Sequence, residues 1–316
     1  MTVTSPGDSG TGSLRAAITV AQSGDTIVFA PTLFSSTQTT TTTKKGKGKS
    51  PPPPPPPPAN TILLTSGQVT LTKNLAIQGF GADQLTISGN NAFRVFEVAG
   101  GVTATLSGMT ITQGYGYFSG GNGGGILNNG TLTVKNGKFS RNNAKYGGGI
   151  YNAGGTLAIS DSTLGGGSNA TAGAGIYNAG GIVAVSSSTL SGNWATNGAG
   201  IYNAAGTLMI ANSALSSNYA HFDYSVSGGY GGGIYNAGIA TISNSILTGN
   251  TADGGLGGGG IYNAAGGTLT VRNSSSITGN FGSYEFGDSD ITNLGVLQQD
   301  GTSTIGVLYG NTPILI

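Results

Sequence analysis

The chain has 316 residues, enough for one large domain or two ordinary ones, with 60 glycines against a usual ~7% and only 7% charged side chains where about 25% is ordinary. Twelve basic and eleven acidic residues leave a formal net charge of +1, which excludes the electrostatic footprint of a nucleic-acid partner. No cysteine occurs, so disulfides, thiolate nucleophiles and cysteine-based metal sites are excluded, and no run of 18 apolar residues provides a transmembrane helix.

Residues 1–34 read as an N-terminal cap and first strands. Ser13 is placed to cap a short helix, Leu14, Ala17, Ile18 and Ala21 fall on one helical face, and Gly24 is expected to stop it. Thr26-Ile27-Val28-Phe29 follows as a strand. Residues 35–60 are a low-complexity insertion: five threonines (Thr39 to Thr43), Lys44, Lys45, Lys47 and Lys49, then eight prolines (Pro51 to Pro58). Consecutive prolines form a polyproline II rod, about 25 Å here at 3.1 Å per residue, and donate nothing to a sheet. The segment reads as a solvated loop between coils, or as an arm that lies on a neighbouring subunit. Across residues 61–119, pairs such as Ile62/Leu64, Val69/Leu71, Leu75/Ile77 and Leu85/Ile87 predict irregular coils.

Residues 120–293 carry a regular repeat, the strongest signal in the chain. A hexapeptide ending in Ile-Leu-Asn or Ile-Tyr-Asn recurs six times, with isoleucines at 126, 150, 176, 201, 234 and 261, and Ile291-Thr292-Asn293 is a degenerate seventh copy. Each copy leads into an alternating pair, such as Leu132/Val134, Leu157/Ile159 or Leu208/Ile210, whose period of two means strand. A third element follows, as in Phe139-Ser-Arg-Asn142, Leu190-Ser-Gly-Asn193, Leu215-Ser-Ser-Asn218 and Leu247-Thr-Gly-Asn250. No strand here is long enough to fold alone, so each repeat must stack on the next. The predicted fold is all-β: a single-stranded, right-handed parallel β-helix of roughly ten coils with a short capping helix. Three internal apolar columns and stacked asparagine amides would run along its axis, about 4.8 Å per coil. Residues 294–316 are a C-terminal coil or tail.

The alternation of Gly-Gly-x-Ile with Phe-x-x-Asn resembles the repeats of chlamydial polymorphic outer-membrane proteins and related bacterial β-helix surface proteins. Gly12-Ser13-Leu14-Arg15-Ala16-Ala17 resembles in part the Cys-Ser-Leu-Arg-Glu-Ala cap of secreted bacterial β-helices, lacking its Cys and Glu. The resemblance implies surface exposure, with adhesion or scaffolding and no single conserved chemistry.

Alternation in Ile-Tyr-Asn points Tyr151, Tyr177, Tyr202, Tyr235 and Tyr262 outward as a stripe. Tyr115, Tyr117, Tyr219, Tyr230 and Trp194, in the variable segments before the glycine corners, are expected on the same edge as a ligand-binding or self-association surface. Acidic residues are scattered about one per coil, so no catalytic residue and no cofactor is assigned; the one grouping that could gather a cation is Glu285, Asp288 and Asp290, read in preference as a solvated acidic turn. The chain finishes Ile314-Leu315-Ile316 without a polar terminal repeat, which predicts head-to-tail self-association. The function expected is therefore a non-enzymatic extracellular or cell-surface protein, bacterial by its resemblance, in a filament or matrix. The alternative is a polysaccharide-binding or polysaccharide-cleaving β-helix.

Overall fold

A computed structural model describes residues 1–34, 60–223, 228–254, 257–282 and 289–316. It is a parallel β-solenoid of about ten turns. Three long parallel sheets run along the axis, of twelve, ten and ten strands, and every strand pairs with its counterpart one coil away. The paired-apolar sheet is built from strands such as Thr131–Lys135, Thr156–Ser160 and Ile182–Ser186. The single-apolar sheet contains Lys138–Ser140, Thr163–Gly165 and Thr189–Ser191. The third sheet contains Ile150–Asn152, Ile176–Asn178 and Ile201–Asn203.

Register follows the repeat residue for residue: Ile150 lies against Ile176, Tyr151 against Tyr177 and Asn152 against Asn178, and the same holds on to Ile261-Tyr262-Asn263. Ile126, Ile150, Ile176, Ile201, Ile234, Ile261 and Ile291 are fully buried, as are Leu132, Leu157, Val183, Leu208 and Leu269. One continuous apolar core results, because a slip of one residue would turn a whole column outward. Residues 35–59, most of the Thr/Lys/Pro insertion, fall between Thr26–Phe29 and Thr61–Leu63 in the chain and lie outside the described residues.

Corners need a left-handed residue. After the paired-apolar strands it is Asn136, Asp161, Ser187, Asn212 or Asn244, with φ between 45° and 52°, mostly side chains that tolerate this region by bonding locally.

The predicted helix spans Leu14–Val20, with Ser13 accepting a bond from the Ala16 N–H at 3.2 Å. Leu14, Ala17 and Ile18 join the solenoid core. The helix ends four residues before Gly24, whose φ of 96° serves the following turn. Its last carbonyls are instead satisfied by the Lys73 ammonium, which donates to Ile18, Thr19 and Ala21.

Arg15 explains why an arginine follows the cap leucine. It donates to Asp8 Oδ1 at 2.8 Å and to the carbonyls of Gly67 and Gln68, while Asp8 Oδ2 accepts from the backbone N–H and hydroxyl groups of Thr65 and Ser66. Burial pushes the Asp8 carboxyl up, but the bonds from Ser66, Arg15 and Thr65 outweigh it and hold the carboxyl below its usual range. A depressed folded value means that this stabilisation is complete above about pH 4 and is lost as the pH falls through the folded value. Asp8→Ala is expected to lower stability by about 2 kcal/mol at neutral pH. Its Tm difference from wild type should close in strong acid, and a difference that persists unchanged there would show that Asp8 acts through packing rather than charge.

Candidate functional site

The outer face of the Ile-Tyr-Asn sheet carries the tyrosine stripe. Parallel pairing places the five rings one above another, so they stack along the axis. Successive centroids from Tyr151 to Tyr262 lie 5.1, 5.0, 4.4 and 5.2 Å apart, with interplanar angles of 6°, 2°, 2° and 17°. Two further tyrosines extend the stack sideways: Tyr146 leans on Tyr177 at 5.2 Å and Tyr230 stacks on Tyr262 at 4.9 Å. The stripe is therefore half-buried, and Tyr262 is buried outright. Ring faces cover one another, leaving edges and hydroxyls to the surface, so the ladder offers a sugar little open ring face on which to stack.

Burial, then the neighbouring tyrosines, pushes the hydroxyls of Tyr151, Tyr177 and Tyr262 upward. Tyr202 is raised furthest, again by burial first and then by Tyr235 and Tyr177, and Tyr235 is also raised by burial. A raised folded value favours the neutral phenol in the native state. The stabilisation is full below the unfolded value, about pH 10, and is lost as pH climbs through the raised values. Thermal unfolding is expected to hold its midpoint up to that pH and to fall steeply beyond it, with a late-titrating set of phenolates in the absorbance spectrum. A set that titrates with free tyrosine would contradict the stacked arrangement.

Tyr115, Trp194, Tyr219 and Phe281 lie on a second axial column. A four-stranded sheet, Asn169–Ala172, Trp194–Asn197, Tyr219–Ala220 and Thr251–Ala252, lies between the single-apolar and Ile-Tyr-Asn strands of four successive coils. Its outward residues, extended by bridges, run Tyr115, Asn143, Asn169, Trp194, Tyr219, Thr251 and Phe281. Trp194 is 50% exposed, donates from Nε1 to His221 Nδ1 at 2.7 Å and meets the Tyr219 ring edge-on at 5.0 Å. The Tyr219 hydroxyl donates to Asp253 at 2.5 Å. At the far end Tyr115 contacts Tyr117 and Phe118, the last 84% exposed. The ten aromatic residues expected on one edge are thus divided, with Tyr230 beside the ladder, Trp194, Tyr219 and Tyr115 on the second column, and Tyr117 against Tyr115 in the 3-10 turn Tyr117–Ser119.

Of the acidic grouping, Glu285 and Asp288 lie outside the described residues. Asp290 is buried and accepts from the Asn280 backbone and amide N–H groups at 2.7 and 2.9 Å and from the Val307 N–H at 2.8 Å. It terminates a polar column rather than lying in a solvated turn. Among the described residues no group of three His, Asp or Glu side chains gathers at one point.

Sequence reasoning missed the four-stranded sheet. Its signal was a small residue in each of its four strands: Ala170, Ala195, Ala220 and Ala252 are all buried, the first two packing with Ala174 and Ala199 in a separate cluster.

At the C-terminal end, Ile314–Leu315 pairs with Gln298 and Gln299 as the last strand of the twelve-stranded sheet. Ile314, Leu315 and Ile316 are 56%, 79% and 60% exposed, so they extend the solenoid instead of folding back over its core.

These features define a parallel β-solenoid whose described helices are none of them long and apolar enough to cross a membrane. Comparisons of the chain with protein-family models, with curated proteins and with solved structures return no match.

Proposed function

We propose that the chain is a non-enzymatic structural or adhesive rod of the bacterial cell surface or extracellular matrix, wound right-handed and assembling end to end. The resemblance of its repeats to polymorphic outer-membrane proteins points the same way. The observation that carries this reading is the commitment of buried polar groups to axial stacking. Asn128, Asn152, Asn178, Asn203, Asn236, Asn263 and Asn293 form an unbroken chain of amide bonds of 2.7–3.0 Å. Asn193, Asn218, Asn250 and Asn280 form a second, closed by Asp290. Such columns hold coils in register and stiffen a rod; they leave little for chemistry.

End-to-end growth would join through an exposed apolar strand such as Ile314–Leu315, which pairs with Gln298 and Gln299 on one side. Because the two ends differ, their contact is heterologous and propagates. Negative-stain images of the purified protein should show filaments, and Leu315→Asp should leave folded single rods about 45–50 Å long. Rods that remain single at high concentration in the wild type would remove the assembly from the proposal.

A polysaccharide-binding role is the second reading, favoured by Trp194, whose ring is half exposed and held in place by His221 and Tyr219. It is the sole tryptophan, so quenching or a shift of its emission on titration with oligosaccharides tests that reading directly. Turnover of an acidic polysaccharide would overturn the non-enzymatic assignment.

A further inference from the structure

The tyrosine ladder has a chemical consequence separate from assembly. Its rings are parallel and in register, so the carbon ortho to each hydroxyl faces its equivalent about one sheet spacing away, ~4.8 Å. Tyr202 and Tyr235 are the tightest pair, with centroids 4.4 Å apart and planes within 2°. They stand on the outer face of the sheet, where nothing in the apolar core resists a swing of the two rings toward contact. The ladder also has points of entry, because Tyr146 and Tyr230 touch it from the flanking segments. With 13 tyrosines, one tryptophan, three methionines and no cysteine, tyrosine is the commonest side chain a one-electron oxidant can use.

We infer that the ladder is a site of oxidative coupling, in which Tyr202 and Tyr235 are joined as dityrosine by hydrogen peroxide acting through a peroxidase. Each phenol gives up one electron and one proton. The two radicals form a carbon–carbon bond between their ortho positions, and the two ring hydrogens move to the oxygens to restore both phenols. In sum, two tyrosines and one hydrogen peroxide give one dityrosine and two waters. A radical formed at Tyr230 reaches the pair through Tyr262, since each step crosses only 4.9–5.2 Å. The bond joins coils 33 residues apart, the longest excursion between successive Ile-Tyr-Asn copies, and supplies the cross-link that a chain without cysteine lacks.

The test uses the full chain at low concentration, treated with peroxidase and hydrogen peroxide and digested with pepsin. The expected product is a monomer lighter by two hydrogens, fluorescent as dityrosine, in which the peptide containing Tyr202 is joined to the peptide containing Tyr235. Tyr235→Phe keeps the stacked ring but removes one of the two phenols and should abolish this product, whereas Tyr117→Phe should leave it unchanged. Coupling confined to Tyr117, Tyr309 or pairs of molecules would overturn the inference. So would an equal yield of the Tyr202–Tyr235 product from the chain unfolded in urea.

Discussion

Asn203→Leu is expected to lower the unfolding free energy by about 3–5 kcal/mol, although the two side chains are of similar size. Asn203 is fully buried. Its amide nitrogen donates to the Gly206 carbonyl at 3.0 Å and to Asn236 Oδ1 at 2.8 Å, and its own oxygen accepts from Asn178 at 2.8 Å. Leucine fills the space but leaves Asn236 Oδ1 and one N–H of the Asn178 amide without a partner, whereas the Gly206 carbonyl keeps the Ile239 N–H at 3.0 Å. Each such buried group costs about 1–3 kcal/mol. A denaturant midpoint that moves down at unchanged slope is the expected result. Lys138→Ala is the control: its ion pair with Asp83 spans 3.9 Å on the surface, and its loss should change stability by less than about 0.5 kcal/mol. If Asn203→Leu is as mild as the control, the amide column does not stabilise the coils.

Gly200→Ala is expected to cost about 3 kcal/mol, while Ala199→Gly next to it should cost less than about 1 kcal/mol. A methyl on Gly200 would stand 2.5 Å from the Gly233 carbonyl of the next coil and 3.3 Å from the Asn218 amide. Both obstacles are fixed, the first as an acceptor for the Ile201 N–H and the second within the second asparagine column. Gly149 and Gly233 meet the following coil just as closely, and Gly260 meets the Asp290 carbonyl at 2.7 Å. Position 199, by contrast, already holds alanine, as does position 174 one coil earlier. A comparison of the two Tm values separates close approach of backbones from a general preference for glycine.

The asparagine columns also show how a small departure in the repeat reads out in the structure. Ser168 occupies the place of an asparagine in the second column, after an added glycine in Gly165-Gly166-Gly167. Its hydroxyl and Asn193 Oδ1 are two of the three buried side-chain polar atoms left without a partner among the described residues. The register was visible in the chain; the gap appears only when the coils are stacked.

Pattern alone determined the class of fold, the strand triplet of each regular coil, the three apolar columns and the capping helix with Ser13 at its start. Those follow from local periodicity and steric preference, which a single coil already expresses. The stacking of Asn152 on Asn178 was likewise legible, since a buried amide in an exact repeat can only meet its copy. Other features depended on how far each coil is offset from its neighbour. The Ala-lined fourth sheet, the division of Trp194 and Tyr219 from the tyrosine ladder, and the burial of Asp290 beneath Asn280 all join residues 10 to 34 positions apart. Alternation correctly turned Tyr202 away from the core. Only the parallel pairing of Ile201–Asn203 with Ile234–Asn236 brought its ring against Tyr235, because outward side chains cover one another at a sheet spacing of about 4.8 Å, and that spacing belongs to the stacked coils rather than to any one of them.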